Sequence, residues 1–319
     1  MTPAEELIDV GRGVTLCCQR FGDAADPPLL LVMGLGQQLH AWPDEFVEAL
    51  AASNLHVVRF DNRDVGRSWH ASNRPPRRAQ FVSRRFDADQ YDLHDMARDT
   101  VGLLDALDLK PAHLVGVSMG GMIAQTVAAL FPQYVRSLVS MSSSTGARRA
   151  GWPAPSTLRL LFAPPATDRD VAAERALVVW RHIGSHGFPI DEPAVRELAS
   201  GAFDRDPRGA AGMARQLAAI LKSGDRTREL RSISAPTLVI HGDRDRMVHP
   251  SGGRATAAAI PGARAITIDG LGHDLPRGAW PRFVELITEH VAQAERTRAG
   301  AIEVPPAGAT AGDHPRATA

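Results

Sequence analysis

The nine residues His113-Leu114-Val115-Gly116-Val117-Ser118-Met119-Gly120-Gly121 constrain this chain more than any other stretch. A run of the fully buried kind meets a glycine-flanked serine, and a helical pattern follows at once, with Ile123, Val127 and Leu130 at helical spacing. The pattern predicts a strand, a sharp turn and a helix. Gly116 to Gly120 reads G-x-S-x-G, and a strained strand-to-helix turn of that composition lifts the serine oxygen above a sheet edge. Glycine lets the backbone bend that tightly, and the helix points its positive end at Ser118. In a chain with 28 glycines the five-residue pattern also marks ordinary tight turns. The strand before it and the helix after it are what make Ser118 a candidate nucleophile.

The flanking sequence supplies the sheet such a turn needs. Residues 14–20 alternate loosely and suit an outer strand, whereas Leu29 to Met33 is a continuous apolar run of the fully buried kind and Leu55 to Phe60 reads as another buried strand. Between them, Trp42-Pro43-Asp44-Glu45 opens a helix with early proline and acids in the first turn, and Phe46, Val47 and Leu50 face inward. Asp61 to Ser68 forms a polar loop read as structural, and the arginines at 74, 77, 78, 84 and 85 a solvated segment. Asp92 suits an N-cap for a helix whose apolar face runs from Leu93 to Leu107, and Val135 to Met141 is the next strand. Alternation of strand and helix predicts an α/β protein with a mostly parallel sheet covered on both faces. Ligands of such sheets bind at the carboxyl edge, where Ser118 would stand.

Prolines at 153, 155, 164 and 165 break the pattern, and no convincing strand returns before Ala235. The chain therefore divides into a first core part (1–148), a helical insertion over the sheet (149–232), a second core part (233–296) and a disordered tail (297–319). Three helical patterns are expected in the insertion: one with Ala172, Ala176, Trp180 and Ile183 inward, one near 192–203, and one with Met213, Leu217, Ile220 and Leu221 inward. Phe162 and Phe188 are candidates to line a pocket. Strands at 236–240 and 265–268 and helices near 251–260 and 276–296 complete the sheet layer.

A serine hydroxyl needs a base to take its proton and an acid to orient that base. His273 and Asp245 each follow a predicted strand, and with Ser118 they give the chain order serine, aspartate, histidine that accompanies this turn. Asp243 competes with Asp245, which lies further along the loop and is better placed to reach the histidine; spacing alone does not separate them. The loop after the preceding strand, 142–149, holds no acid. Developing negative charge on a reacting carbonyl needs donors, and the backbone N–H groups of Met119 and Leu35 can supply them. His182 and His186 have metal-like spacing without the glutamate or cysteines that usually complete such a site, so no metal is expected.

Composition excludes several other classes. Thirty-six basic and 36 acidic residues balance, so no global field draws the chain to nucleic acid or anionic membrane, and a small neutral partner is the better expectation. Cys17 and Cys18 are adjacent and poorly placed to bridge, and no apolar run approaches the ~20 residues that span a bilayer. A cytoplasmic protein is expected.

Five motifs together resemble the α/β-hydrolase-fold serine hydrolases: Val32 to Gly36, Asp61 to Ser68, Gly116 to Gly121, His241 to Asp245, and Gly270 to Pro276. The similarity covers roughly residues 5 to 296, and within that fold the chain is similar to bacterial esterase/lipase-like members and aclacinomycin methylesterase types, notably at Trp42 to Phe46. It implies ester hydrolysis through an acyl-serine, with Ser118 as nucleophile, His273 as base then acid, Asp245 as its partner, and no cofactor. Met33 stands where many members carry histidine. Thioesters, lactones, carbon–carbon bonds or perhydrolysis would use the same three residues, and a non-catalytic receptor could keep the same fold.

Overall fold

A computed structural model describes residues 3–161 and 164–302. The first part contains β1 (Glu6–Asp9), β2 (Thr15–Phe21), β3 (Pro28–Val32), α1 (Asp44–Ala51), β4 (His56–Phe60), α2 (Arg78–Ser83), α3 (Leu93–Ala106), β5 (Ala112–Val117), α4 (Met119–Leu130) and β6 (Val135–Met141). Helices α5 (Pro155–Leu161), α6 (Arg169–Ile183), α7 (Glu192–Arg205), α8 (Gly209–Ser223) and α9 (Thr227–Leu230) follow. The sheet then resumes with β7 (Thr237–Gly242), α10 (Ser251–Ala259), β8 (Arg264–Ile268) and α11 (Trp280–Ile302).

The eight strands form one sheet in the order β1-β2-β4-β3-β5-β6-β7-β8, antiparallel at β1–β2 and β2–β4 and parallel elsewhere. Central strands bury both faces, which is why β3 reads as an apolar run and why His56, Arg59 and His113, where they interrupt β4 and β5, are buried too. Register sorts their side chains: Leu30, Leu114 and Leu138 lie side by side and join a core with α3 and α4. Their neighbours Leu31, Val115 and Val139 point the other way, into a core with Phe46 and Leu50 of α1 and Phe283 and Ile287 of α11. Asp92 caps α3 as expected, accepting from the His94 and Asp95 N–H groups.

Four expectations need correction. The strand at 14–20 is not outermost, because β1, short and half-exposed, pairs along its free side. Among the described residues five helices, not three, lie between β6 and β7. Within them α6 buries Ala173 and Leu177, one position on from the expected Ala172 and Ala176, and α8 buries Arg215 and Gln216 rather than an aliphatic stripe. Finally, α11 continues to Ile302, so residues 297–302 are helical rather than part of a tail. The rest of that tail, and Phe162, lie outside the described residues.

Candidate active site

β5 delivers the chain to Ser118 at its carboxyl end, where the backbone adopts φ 57° and ψ −120°, a conformation side-chain-bearing residues rarely take. Two glycines permit it by close approach. A Cβ on Gly116 would stand 2.3 Å from the Gly120 carbonyl oxygen, and one on Gly120 2.0 Å from that of Val32. Behind the turn, Ser143 Oγ donates to the Ser118 carbonyl at 2.8 Å. Arg226, fully buried and pushed by that burial down to about 10, donates to the carbonyls of Met122 and Ser144 and to Gln125 Oε1.

His273, in the loop after β8, brings Nε2 to 3.0 Å from Ser118 Oγ. Its Nδ1–H donates to Asp245 Oδ2 at 2.7 Å, since a carboxylate there can only accept. Asp245, in the loop after β7, turns Oδ1 to the backbone N–H groups of Met247 and Val248 at 2.9 and 2.8 Å. Burial alone would raise the Asp245 carboxyl. The imidazoles of His273 and His241 beside it more than reverse that and hold it below the usual carboxylate range. Asp243, the competing acid, instead accepts from the Gly270 N–H at 2.7 Å and pairs with Arg244. The structure thus brings Ser118, His273 and Asp245 together and leaves Asp243 outside.

The loop after β3 meets the serine from the other side. A Cβ on Gly34 would lie 3.2 Å from Ser118 Cβ and 3.8 Å from its Oγ, so this backbone passes close beside the serine side chain. Among the described residues neither the Leu35 nor the Met119 N–H has an acceptor; Met119 opens α4, where no intrahelical partner exists. The loop is held at both ends. Asn62 Nδ2 donates to the Met33 carbonyl at 2.9 Å, and Gln216 Oε1 accepts from the Gly36 N–H at 2.8 Å.

Asp61 and Asp64, in the loop read as structural, tie the insertion down. Asp61 pairs with Arg205 at 2.6 Å and Asp64 with Arg215 at 2.7 Å, all four side chains buried. Gln216, Ser143 and Arg226 were invisible to periodicity, because each acts through a polar contact across distant parts of the chain. His182 Nε2 rests against the hydroxyls of Ser156 and Thr157. Among the described residues no group of three His, Cys, Asp or Glu side chains is placed to hold a metal ion, and no helix is long and apolar enough to cross a membrane.

The sequence profile of the alpha/beta hydrolase fold matches residues 27–276. The chain belongs to the α/β-hydrolase family. It is 32% identical over 305 residues to rhodomycin D methylesterase DauP of Streptomyces sp. (strain C5), covering 88% of this chain and 96% of that one. To rhodomycin D methylesterase DnrP of Streptomyces peucetius it is 31% identical over 307 residues, with the same coverage. Among solved structures, a hydrolase from Pseudomonas aeruginosa PA01 superposes with a TM-score of 0.66 at 26% identity, over 91% of this chain and 98% of that one.

Proposed function

We propose that the protein is a carboxylic-ester hydrolase that works through an acyl-serine on small to medium hydrophobic esters. The hydrogen-bonded run from Ser118 Oγ through His273 to Asp245 carries this reading. The chain is an ester-cleaving hydrolase by its kinship. His273 takes the Ser118 proton as Oγ attacks the ester carbonyl, then gives it to the departing alcohol. Asp245, ionised throughout the neutral range, stabilises the imidazolium. The Leu35 and Met119 N–H groups receive the oxyanion. Water then attacks the acyl-serine with His273 again as base, releasing the acid and restoring Ser118.

The relatives named as methylesterases support a small alcohol leaving group from a bulkier acid, with the helices 155–230 forming a cap that sets the acyl preference. No cofactor enters these steps. Cys17 and Cys18 are buried free thiols, which supports a reducing compartment and hence the cytoplasm. Hydrolysis of p-nitrophenyl esters from acetate to palmitate, by the wild type and by Ser118→Ala, tests the reading. Turnover by the wild type and a loss on the order of 10⁴-fold or more in the variant are expected. Equal rates in the two proteins would remove Ser118 from the chemistry, and a wild type inert on every ester would overturn the ester assignment.

A further inference from the structure

We infer that Ser185, on the link between α6 and α7, is a positioning residue for His273, holding the loop that carries the imidazole from the side away from the sheet. This rests on the hydrolase reading above. Residues 272, 273 and 274 are each tied to this link or to the last residue of α6. Ser185 Oγ accepts from the Gly272 N–H at 2.9 Å and donates to Asp274 Oδ1 at 2.6 Å, so one hydroxyl grips the loop on both sides of the histidine. Between those two bonds, the His273 N–H itself donates to the Ile183 carbonyl at 2.8 Å. One and two residues past Ser185, the His186 and Gly187 N–H groups both donate to the Gly270 carbonyl at 2.9 Å.

The contact is backbone against backbone. A Cβ on Gly272 would stand 2.2 Å from the Gly184 carbonyl carbon, and one on Gly270 2.7 Å from Gly187 Cα, so no side chain cushions the two segments. Elsewhere the loop is fastened to the loop after β7: the Arg244 N–H donates to the Leu271 carbonyl, and Asp243 receives the Gly270 N–H. Those bonds hold residues 270 and 271. The insertion shares residue 270 with them, and its Ile183 and Ser185 supply the contacts at 272 to 274, where the chain turns to present His273. Asp274 adds a reason for a hydroxyl here. It is partly buried, burial raises its carboxyl, and the Ser185 hydrogen bond works against that rise. Removing the hydroxyl leaves the Gly272 N–H unpaired and takes from the Asp274 carboxyl its side-chain partner, leaving it the backbone N–H groups of Ser185 and Asp274, so the loop loses its grip on both sides of the histidine.

Such a shift is costly at a base, because proton transfer from Ser118 requires the 3.0 Å approach of Nε2 that the loop now sets. The test is the rate at which an alkyl fluorophosphonate labels Ser118 in the wild type, Ser185→Ala and Ser185→Thr, with thermal midpoints measured alongside. In that reaction Ser118 Oγ bonds to phosphorus, the P–F bond breaks, fluoride leaves, and the serine proton passes to His273. The rate therefore reports where the base stands without knowledge of the natural ester. Expected is labelling on the order of 10- to 100-fold slower in Ser185→Ala and within about threefold of wild type in Ser185→Thr, which keeps the hydroxyl. Midpoints should stay within about 4 °C, and in ester assays kcat should fall while KM holds. Wild-type labelling rates in Ser185→Ala, or a loss that follows a fallen midpoint and vanishes well below it, would overturn the role of Ser185. A wild type that does not label at Ser118 would instead overturn the serine-hydrolase reading itself, whatever occupies position 185.

Discussion

Ser118 shows how much a single residue's backbone can commit a fold to chemistry. A serine at φ 57° and ψ −120° is strained by roughly 1–3 kcal/mol, and the surrounding glycines and the Ser143 hydrogen bond hold it there. The gain is an oxygen projected clear of β5 toward His273. Its partner acid illustrates the opposite case, in which sequence narrowed the choice and geometry separated two candidates. Asp245 bonds His273, whereas Asp243 is spent on the Gly270 N–H. Asp245→Asn, which cannot hold the imidazole in the same tautomer, is expected to lose on the order of 10⁴-fold in kcat, and Asp243→Asn far less. Steady-state kinetics on both variants check this, and the reverse ranking would reassign the acid. The serine, the histidine and the two candidate acids were legible because each stands at the end of a strand or in the loop that follows one, and has a residue type that suits acyl transfer. Ser185 and Gln216 were not, since neither type nor spacing says which distant loop a polar side chain will meet.

Among the elements, α8 departs furthest from pattern. Its aliphatic stripe at Met213, Leu217, Ile220 and Leu221 is only partly buried, while Arg215 and Gln216 point into the interior. The reason lies in what α8 packs against: the polar loop at 61–68 and the backbone after β3, not the flat apolar face of the sheet. Arg215 neutralises Asp64, and Gln216 bridges the Gly36 N–H and the Arg63 carbonyl at 2.8 and 2.7 Å. The helix thereby fixes the segment that carries the Leu35 N–H. Gln216→Leu keeps the volume and removes both bonds, at a cost of about 1–3 kcal/mol for the two buried groups left unpaired. Because the Leu35 donor is displaced rather than deleted, kcat is expected to fall roughly tenfold, less than removal of an oxyanion donor. Kinetics on the variant decide it: an unchanged kcat with lowered stability would confine Gln216 to holding the fold.

Across the whole molecule, the amino edge of the sheet carries a stability term separate from the reaction. His113, at the start of β5, is buried, with Nδ1 on Ser137 Oγ at 2.8 Å and Nε2 without a hydrogen bond. Burial pushes it down to about 3, and the cations Arg136 of β6 and Arg298 of α11, with His290 of α11, push the same way; Glu295 opposes them from 3.3 Å, out of line for a bond. An unfolded chain takes up this proton near pH 6.5, while the folded protein refuses it until about 3. The stabilisation is therefore complete above ~6.5 and is lost as pH falls, by about 1.4 kcal/mol per unit. Urea titrations from pH 8 to 4 should show His113→Gln with an acid-side slope shallower by about one proton, and identical slopes would exclude the effect. The sequence by itself determined the alternating layers, the mostly parallel sheet and the serine at the strand-to-helix turn, because burial on two faces and a strained turn leave periodic, local marks. Tertiary structure alone decided which acid meets His273, how α8 lies, and that Ser185 and Gln216 hold the two loops over Ser118. Those depend on hydrogen bonds between segments 28 to 180 residues apart, and a polar side chain carries no local sign of the partner that folding will bring to it.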